Sequence, residues 1–518
     1  MGAGFHIENF GCRAARADGE AIGERLVASG HCLEPLPEAE VVIVNTCSVT
    51  EEADRQARAF IRRAHRRNPA ARIVVTGCYA QRAPEELAGL PGVAAVVGNS
   101  HKALAPEIVQ RISGPASQQV SESAGQAFVD VRAVIAGRDL APIFADDRFA
   151  HSFLEEAQVV PGAQTRPNLK IQEGCGNRCT FCVIPQTRGG SRSLNEEKVL
   201  RQVHGFVKAG GKELVLSGIN LGRWGKDLPN PTEESSGDGT QEPPRRLSAG
   251  VRTLAALVRR IFAETDLPRL RLSSIEPMDW GAELIELMRE FGGARLARHA
   301  HLPLQSGSDA VLRRMHRRYR PWHYADKVTE LFAAAGSNLT LGADVMAGFP
   351  GETEREFAET CVFIQRLPFG YLHLFPFSPR PGTRAWQLHE AAPVPAEAVA
   401  ERMTELRRIR DEKVRAHRSA FVGREVECIT LHTPEAMRFE GHSAALTENF
   451  LPVRVKGELE ANRTVRVRVN ALRADGELEG WQLTGLLTGT RGAPPIVSAT
   501  LQKALIDARF AQSSTYLP

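Results

Sequence analysis

The sequence predicts a multidomain α/β protein with three parts: an N-terminal doubly wound parallel sheet, a central partial (β/α) barrel and a small C-terminal all-β barrel. Short apolar runs alternate with helical stretches at the start of the chain, and the alternation resumes at Asn168, which is typical of parallel sheets with helices on their faces. After Arg418 the pattern changes to short strand-like runs separated by Gly and Asn turns, which favours a small barrel. A chain of 518 residues is long enough for about three domains, at roughly 100–200 residues each.

The composition is that of an ordinary globular protein. Hydrophobic residues make up 42% and charged residues 24%, which excludes a fibrous, collagen-like or wholly disordered chain. We find no signal-peptide pattern and no apolar run long enough for a membrane span, so we expect a cytoplasmic protein that does not bind a membrane. In that compartment the nine cysteines should stay reduced, and clustered cysteines then indicate metal ligands or catalysts rather than disulfides.

Residues 1–112 are predicted to form the N-terminal domain. Its strands are expected at Phe5–Phe10, Val41–Val44, Ile73–Thr76 and Val93–Val97. The helical stretches between them are Gly19–Ser29, Glu52–Arg67 and Pro84–Leu90. Strand and helix alternate at a spacing that implies a parallel sheet covered by helices.

Residues 113–165 are predicted to be a linker, because their first part is rich in Ser, Gln, Gly and Ala. Residues 166–395 follow as the partial barrel. Its strands are expected at Asn168–Gln172, Glu213–Ser217, Arg269–Ser273, Ala300–Leu304, Leu339–Val345 and Tyr371–Pro376. Residues 227–250 interrupt the pattern, and their Pro, Gly, Ser, Glu and Thr content predicts a disordered insertion.

The C-terminal part begins with a connecting helix predicted for residues 396–420. A small β-barrel is predicted for residues 421–487, and residues 488–518 are expected to be a peripheral tail. The barrel strands are expected at Val426–Leu431, Ser443–Leu446, Leu451–Val455, Thr464–Val469 and Gly480–Leu486.

The strongest chemical signal is a run of three cysteines, Cys175, Cys179 and Cys182, directly after the first strand of the predicted barrel. Such short spacings let one loop wrap a compact metal centre, and cysteine thiolates are the usual ligands of cubane iron–sulfur clusters. Three ligands suit a cluster whose fourth iron is open to a substrate or cofactor. A structural zinc loop with a fourth ligand elsewhere is the alternative that the spacing leaves open.

A second set of cysteines follows three successive strands of the N-terminal sheet. Cys12, Cys47 and Cys78 each stand just past the carboxyl end of one strand, where open α/β sheets bind their ligands. Because cysteine is also a common small buried residue, coincidence is the alternative here. The other three cysteines, Cys32, Cys361 and Cys428, are predicted to be structural.

The two sets together resemble the radical S-adenosylmethionine methylthiotransferases. The last two cysteines of the loop enclose an aromatic residue, Phe181, as in the radical S-adenosylmethionine signature, and three cysteines on a preceding domain are similar to the methylthiotransferase branch. Further segments resemble the family: FGCR (10–13), NTCSVTEEADR (45–55), TGCYAQ (76–81), LSGINLG (216–222), SSIEP (273–277), HLPLQSGSDAVLRRM (301–315), GADVMAGFPGETE (342–354) and FPFSPRPGT (375–383). The C-terminal barrel resembles the family's TRAM domain.

The resemblance implies two [4Fe–4S] clusters and S-adenosylmethionine as cofactors. Cys175, Cys179 and Cys182 would hold the radical cluster, whose open iron binds S-adenosylmethionine and generates a 5′-deoxyadenosyl radical. Cys12, Cys47 and Cys78 would hold a second cluster that supplies sulfur. A low-potential protein such as flavodoxin or ferredoxin would supply the electron.

The resemblance also implies a substrate. The residues after Cys47, from Val49 to Arg55, resemble the subgroup that methylthiolates C2 of N6-threonylcarbamoyladenosine (t6A) at position 37 in the anticodon loop of tRNA. Two alternatives are a methylthiotransferase acting on isopentenyladenosine in tRNA or on a ribosomal-protein aspartate, and a zinc-containing RNA-binding protein.

Five further residues are candidates for cofactor binding because they end predicted barrel strands, where barrel active sites lie. They are Gly218, Asn220, Glu276, Gln305 and Ser306. Each could instead be a local cap or turn residue. Thr353, followed by Glu356, is predicted to cap the helix that begins after the Gly348–Gly351 loop.

Charge gives little support for an RNA partner. The net charge is +4, and residues 421–481 carry 8 basic against 10 acidic residues. A contact with RNA through this domain would need a local strip, such as Arg463, Arg466 and Arg468.

Overall fold

The computed structural model describes residues 2–113, 141–147, 149, 165–229 and 252–483. Most of the predicted linker, residues 230–250 of the predicted insertion and the predicted tail 488–518 lie outside the described residues. The chain divides into two compact units. The first contains Met1–Gln158, Lys170–Leu194 and Ser378–Thr383, and the second contains Val159–Leu169, Asn195–Phe377 and Arg384–Pro518.

The first unit contains a six-stranded parallel sheet with the strand order β2-β1-β3-β4-β5-β6. Its strands are β1 (Gly4–Asn9), β2 (Cys32–Leu33), β3 (Val41–Thr46), β4 (Arg72–Gly77), β5 (Val93–Gly98) and β6 (Ile143–Phe144). The four longer strands were predicted. The two edge strands of two residues each were not, and β6 lies within the stretch predicted as a linker.

Helices cover both faces of this sheet. They are α1 (Arg13–Ala28), α2 (Glu51–Arg67), α3 (Cys78–Arg82), α4 (Pro84–Ala88) and α5 (Ala105–Ser113). Successive residues of the central strand alternate between two apolar cores: Val42 and Val44 pack in one core, and Val41 and Ile43 pack in the other. A strand that is buried on both sides must be apolar throughout, which explains the continuous Val41–Val44 run and confirms the doubly wound prediction.

A loop from the middle of the chain also belongs to the first unit. Strand β7 (Asn168–Glu173) begins in the second unit and ends in the first, where it pairs antiparallel with β8 (Arg192–Ser193). The short helix α6 (Ile184–Arg188) lies between these two strands.

The second unit contains the β/α repeats. Its strands are β9 (Glu213–Gly218), β10 (Arg269–Leu272), β11 (His299–His301), β12 (Thr340–Ala347) and β13 (Phe369–Pro376). Parallel pairing joins β9 with β10, and β11 with β12 and β13, while a single parallel bridge joins Leu270 to Leu296. The helices are α7 (Glu196–Lys208), α8 (Leu254–Glu264), α9 (Ala282–Phe291), α10 (Asp309–Arg314), α11 (Pro321–Ala335), α12 (Glu354–Arg366) and α13 (Arg384–Ala391). This parallel β/α arrangement confirms the predicted partial barrel.

The remainder of the second unit is the connecting helix and a closed five-stranded barrel. Helix α14 (Ala396–Ser419) precedes β14 (Glu425–Thr430), α15 (Glu435–Phe439), β15 (His442–Thr447), β16 (Pro452–Lys456), β17 (Thr464–Leu472) and β18 (Leu478–Gln482). The strands close in the order β14-β15-β16-β18-β17 around an apolar core that includes Cys428, Val455 and Val467. The predicted all-β barrel is therefore confirmed. No helix among the described residues is both long and apolar enough to cross a membrane.

Candidate cluster and cofactor sites

The first candidate site lies at the carboxyl edge of the N-terminal sheet. Cys12 stands at the N-terminus of α1, three residues after β1 ends, while Cys47 directly follows β3 and Cys78 directly follows β4. These strands end at nearly the same level, because Asn9 is paired with Asn45 and Thr46 with Gly77. The sequence predicted this convergence from the position of each cysteine behind its strand.

Glycine allows the backbone to approach these thiols closely. Gly11 has a φ of 95°, and a Cβ atom built on it would lie 2.5 Å from Sγ of Cys47. Gly77 has a φ of 100°, and a Cβ atom there would lie 2.3 Å from the carbonyl oxygen of Thr46. Only glycine fits such positions without strain, so the local sequence is adapted to a compact group of cysteines.

The thiols also influence one another electrostatically. Burial raises the pKa of Cys47 to about 12, and the neighbouring thiols of Cys12 and Cys78 add to this rise. The Cys47 thiol therefore resists ionisation in the protein alone, whereas an iron–sulfur centre binds its ligands as thiolates and supplies compensating positive charge. The donor set and its spacing around the sheet edge fit a cluster.

The second candidate site is the loop between β7 and α6. Cys175, Cys179 and Cys182 are all partly exposed on it. The loop is closed by backbone hydrogen bonds from Cys182 N to Cys179 O (3.2 Å) and from Cys175 N to Gly189 O (3.1 Å), and Asn177 N donates to Sγ of Cys175 (3.4 Å). A short loop with three partly exposed thiols fits a cluster with one iron left open for a cofactor. All nine cysteines lie in the described residues, and none forms a disulfide.

A group of five buried charged residues lies in the same unit, and sequence reasoning missed it. We call it the buried charge cluster: Asp18, Lys102, Lys170, Glu173 and Arg188. Although burial opposes ionisation, the positive charges of the three basic groups hold the pKa of Glu173 well below its usual range. The available signal was Lys170 within the strand predicted at Asn168–Gln172 and Glu173 directly after it, since charges that become buried need partners.

Two residues of the first compact unit, Arg188 and Asn99, donate hydrogen bonds to Cys78, which is a candidate cluster ligand. Arg188 Nε donates a hydrogen bond to Sγ of Cys78 (3.3 Å), and Asn99 Nδ2 donates to the same sulfur (3.4 Å). Hydrogen bonds to sulfur are one means by which proteins set the properties of iron–sulfur clusters.

The five candidate cofactor residues in the second unit differ in their surroundings. Gly218 is the last residue of β9, and Asn220 is buried just after it. Glu276 forms hydrogen bonds of 2.7 and 2.5 Å with Nη2 of Arg317. Ser306 Oγ lies 2.9 Å from Oγ1 of Thr360 and accepts a hydrogen bond from Ser308 N (3.1 Å), so it also stabilises a turn.

Several buried polar atoms at the strand ends of the second unit make no hydrogen bond within the described residues. They are Oγ of Ser217, Oγ of Ser273 and Oε1 of Gln305. Gln305 also has a φ of 65°, which is unusual for a residue other than glycine. Because buried polar groups are nearly always paired in folded proteins, these three atoms are candidates for contact with a polar ligand.

His301, Asp344 and His373 form a further polar group on β11, β12 and β13, and their ligand atoms are close enough to hold one metal ion. Asp344 Oδ1 lies 3.2 Å from Nδ1 of His373 and 3.4 Å from Nε2 of His301. The other ring nitrogen of His301 lies 2.7 Å from Oγ of Ser274. Although burial opposes it, hydrogen bonding with both histidines lowers the pKa of Asp344, so this group is stabilised by its own contacts.

Two regions of the chain match models of known families. Residues 4–98 match the model of a family described as uncharacterized protein family UPF0004. Residues 169–364 match that of the radical SAM superfamily.

Relatives that match nearly the whole chain are tRNA-modifying enzymes. The chain is 33% identical to threonylcarbamoyladenosine tRNA methylthiotransferase MtaB of Bacillus subtilis, over 90% of this chain and 93% of the relative. It is 32% identical to the MtaB of Aquifex aeolicus, over 89% of this chain and 99% of the relative. It is also 32% identical to tRNA-2-methylthio-N(6)-dimethylallyladenosine synthase of Cereibacter sphaeroides, over 92% and 98% of the two chains.

A solved structure shows the same fold. The radical S-adenosylmethionine methyltransferase TsrM from Kitasatospora setae, with cobalamin and a [4Fe–4S] cluster bound, superimposes with a TM-score of 0.51. The match covers 74% of this chain and 77% of that chain, at 15% sequence identity.

Proposed function

Because the chain belongs to the radical S-adenosylmethionine methylthiotransferases that modify tRNA, we propose that it methylthiolates C2 of t6A at position 37 in the anticodon loop. The observation that carries this proposal is the presence of two three-cysteine sets in one compact unit. Methylthiolation needs both a radical source and a sulfur source, and two clusters meet that requirement.

The family works with two [4Fe–4S] clusters and S-adenosylmethionine. When bound, these groups supply the radical that activates C2 of the adenine, the sulfur and the methyl group. In our proposal, Cys175, Cys179 and Cys182 hold the radical cluster, and Cys12, Cys47 and Cys78 hold the second one. A single electron comes from a donor protein such as flavodoxin or ferredoxin.

The protein's own contribution is to bind and orient. Gly218 and Asn220 present backbone and amide groups at the end of β9. The hydroxyls of Ser217 and Ser273 donate or accept hydrogen bonds with polar groups of S-adenosylmethionine, and Oε1 of Gln305 accepts one. Glu276 and Ser306 already have protein partners, so we assign them to holding the shape of this strand-end region.

The choice of t6A as substrate rests on the relatives named MtaB and on the residues after Cys47. Within that segment Thr50 caps α2 by accepting a hydrogen bond from Ala53 N (3.2 Å). Asp54 is buried and binds Arg82 (2.9 Å) and Arg380 (2.6 Å). Overall identity does not separate the substrates, because the dimethylallyladenosine synthase is as similar as the Aquifex MtaB.

The proposed function is tested by mass spectrometry of tRNA nucleosides from a strain that lacks this protein. We expect 2-methylthio-t6A to disappear, its t6A precursor to accumulate, and 2-methylthio-isopentenyladenosine to stay at its normal level. Complementation with the intact gene should restore the modification. Unchanged 2-methylthio-t6A, with loss of the isopentenyl product instead, would contradict the choice of substrate.

A further inference from the structure

Arg188 is the fully buried residue at the end of α6, and its three guanidinium nitrogens have different surroundings. Nη1 donates to Asp18 (3.0 Å) and Glu173 (2.5 Å), and Nε donates to Sγ of Cys78 (3.3 Å). Nη2 is buried and makes no hydrogen bond within the described residues. In a planar guanidinium, Nη2 and Nε lie on the same edge, so Nη2 faces the side on which the Cys78 sulfur lies.

A buried charged N–H group without an acceptor is costly, and native proteins rarely leave one unpaired. We propose that Arg188 Nη2 donates a hydrogen bond to a sulfide of the [4Fe–4S] cluster held by Cys12, Cys47 and Cys78, while Nε binds the Cys78 thiolate, and that Arg188 thereby raises the reduction potential of this cluster. The inference rests on the proposed function only in assigning a cluster to these three cysteines.

The buried charge cluster keeps Arg188 charged and fixed in place. Its members are two carboxylates and three cations, so the cluster has a net charge of +1. A guanidinium stays protonated in proteins, and the hydrogen bonds from Nη1 to Asp18 and Glu173 hold it in place. A reduced iron–sulfur cluster carries one more negative charge than the oxidised one, and a nearby cation with two hydrogen bonds to sulfur favours the reduced form.

The same contacts connect both cysteine sets. Glu173 stands two residues before Cys175, and Asp18 lies on α1, the helix that begins after Cys12. Arg188 binds both carboxylates, so it positions the beginning of the second cysteine loop relative to the sheet edge. Arg188 is therefore a positioning residue as well as a donor to the cluster.

The inference is tested on full-length protein in which Cys175, Cys179 and Cys182 are all replaced by Ala, so that only the cluster of the N-terminal sheet forms. After anaerobic reconstitution, iron and sulfide are counted, and a redox titration is followed by electron paramagnetic resonance. In the Arg188→Gln variant we expect the ratio of reduced to oxidised cluster at a fixed potential to fall about tenfold, a shift of about 59 mV for a one-electron couple. Arg188→Lys keeps the positive charge but loses the paired N–H donors of the guanidinium. Its reduction potential should therefore lie between those of the parent and the Arg188→Gln protein.

The matched control is Arg111→Gln, which removes an exposed arginine from α5 of the same unit and should leave the potential unchanged. A fully loaded Arg188→Gln cluster with the parent potential would overturn the inference. Because this variant removes one of the three cations that Asp18 and Glu173 bind and can fail to fold, a second measurement uses native Arg188. With 15N-labelled arginine, pulsed resonance of the reduced cluster should show nitrogen coupling, and its absence would also overturn the inference. If the background protein binds no cubane cluster at all, it is the proposed function that fails instead.

Discussion

Cys179 and Cys47 belong to different cysteine sets, and single substitutions should separate their roles. Cys179 lies on the partly exposed loop, whereas Cys47 is buried at the sheet edge beside Cys12 and Cys78. We expect Cys179→Ala to abolish cleavage of S-adenosylmethionine, measured as 5′-deoxyadenosine, together with all methylthiolation. We expect Cys47→Ala to retain most of the cleavage and to lose methylthiolation, because only the sulfur source is removed.

The control for this pair is Cys32→Ala. Cys32 is exposed on the edge strand β2 and is not part of either set, so its replacement should leave both activities intact. Circular dichroism and iron content show whether each variant is folded and how much cluster it carries. Loss of cleavage in a folded Cys47→Ala protein that retains its other cluster is the result that contradicts this division of roles.

The sequence predicted the position of the cysteines relative to the strands, but not their charged neighbours. Cysteines that follow strands, or that are three or four residues apart, are recognised from local spacing. Arg188 and Asp18 are 170 residues apart, and Asp54 and Arg380 are 326 residues apart. Such pairs depend on how distant segments pack, and no local period reveals them.

Local signals predicted the start of a helix well where a capping group is present, but they predicted the end of a strand less well. Thr353 Oγ1 accepts a hydrogen bond from Glu356 N (3.3 Å), and Glu356 Oε2 accepts one from Thr353 N (2.9 Å), which confirms the predicted capping box. The strand predicted at Ala300–Leu304 is observed at His299–His301 and so ends three residues earlier than predicted. Pro303 lies just beyond it and has no N–H to donate to a neighbouring strand.

At the scale of elements, the docking of α14 on the barrel strands should depend on pH. His417, in the last turn of α14, lies with Nε2 3.0 Å from Oγ1 of Thr340 on β12. Burial, helped by the charges of Arg418 and Arg424, lowers the pKa of His417 to about 4. The unfolded chain, with an ordinary histidine pKa of about 6.5, therefore binds a proton that the folded chain does not bind between these pH values.

The free energy of unfolding should accordingly fall as the pH drops from 7.5 to 5. We expect His417 to contribute about 1–2 kcal/mol to this fall, allowing for the partial exposure of its ring. Denaturant unfolding of the cluster-free protein at the two pH values measures it, and His417→Gln should show a smaller difference between them. An equal pH dependence in the intact protein and in His417→Gln would show that the ring does not carry this effect.

At the scale of the whole molecule, the order of the three parts was predictable and the composition of the compact units was not. The change from alternating strands and helices to short strands alone can be recognised from local hydrophobic patterns along the sequence. The grouping of Lys170–Leu194 and Ser378–Thr383 with the N-terminal sheet results from long-range contacts such as Asp54 with Arg380. The edge strand β6 has only two residues and carries no period to detect.

The charged side chains of the C-terminal barrel matter at the scale of the whole molecule, because a tRNA is large enough to contact several parts of the protein. In the predicted RNA strip, Arg463 and Arg468 are exposed and Arg466 is half-buried. All three are paired: Arg466 and Arg468 both contact Glu425, and Arg463 contacts Glu460 (2.6 Å). Glu425→Gln frees two of these arginines for phosphate. We expect the Kd for t6A-containing tRNA to fall about two- to fivefold at low salt, with a steeper loss of affinity as salt increases.

The control must add the same charge elsewhere on the same unit. Glu286→Gln does so, because Glu286 is exposed on α9 and its ion pair within the described part of the chain is with Arg289, three residues away. If the strip contacts tRNA, Glu425→Gln tightens binding more than Glu286→Gln does, and Arg466→Gln combined with Arg468→Gln weakens it. Equal effects of the two glutamate substitutions, measured by filter binding across a salt series, would assign the gain to overall charge and remove the strip from the tRNA interface.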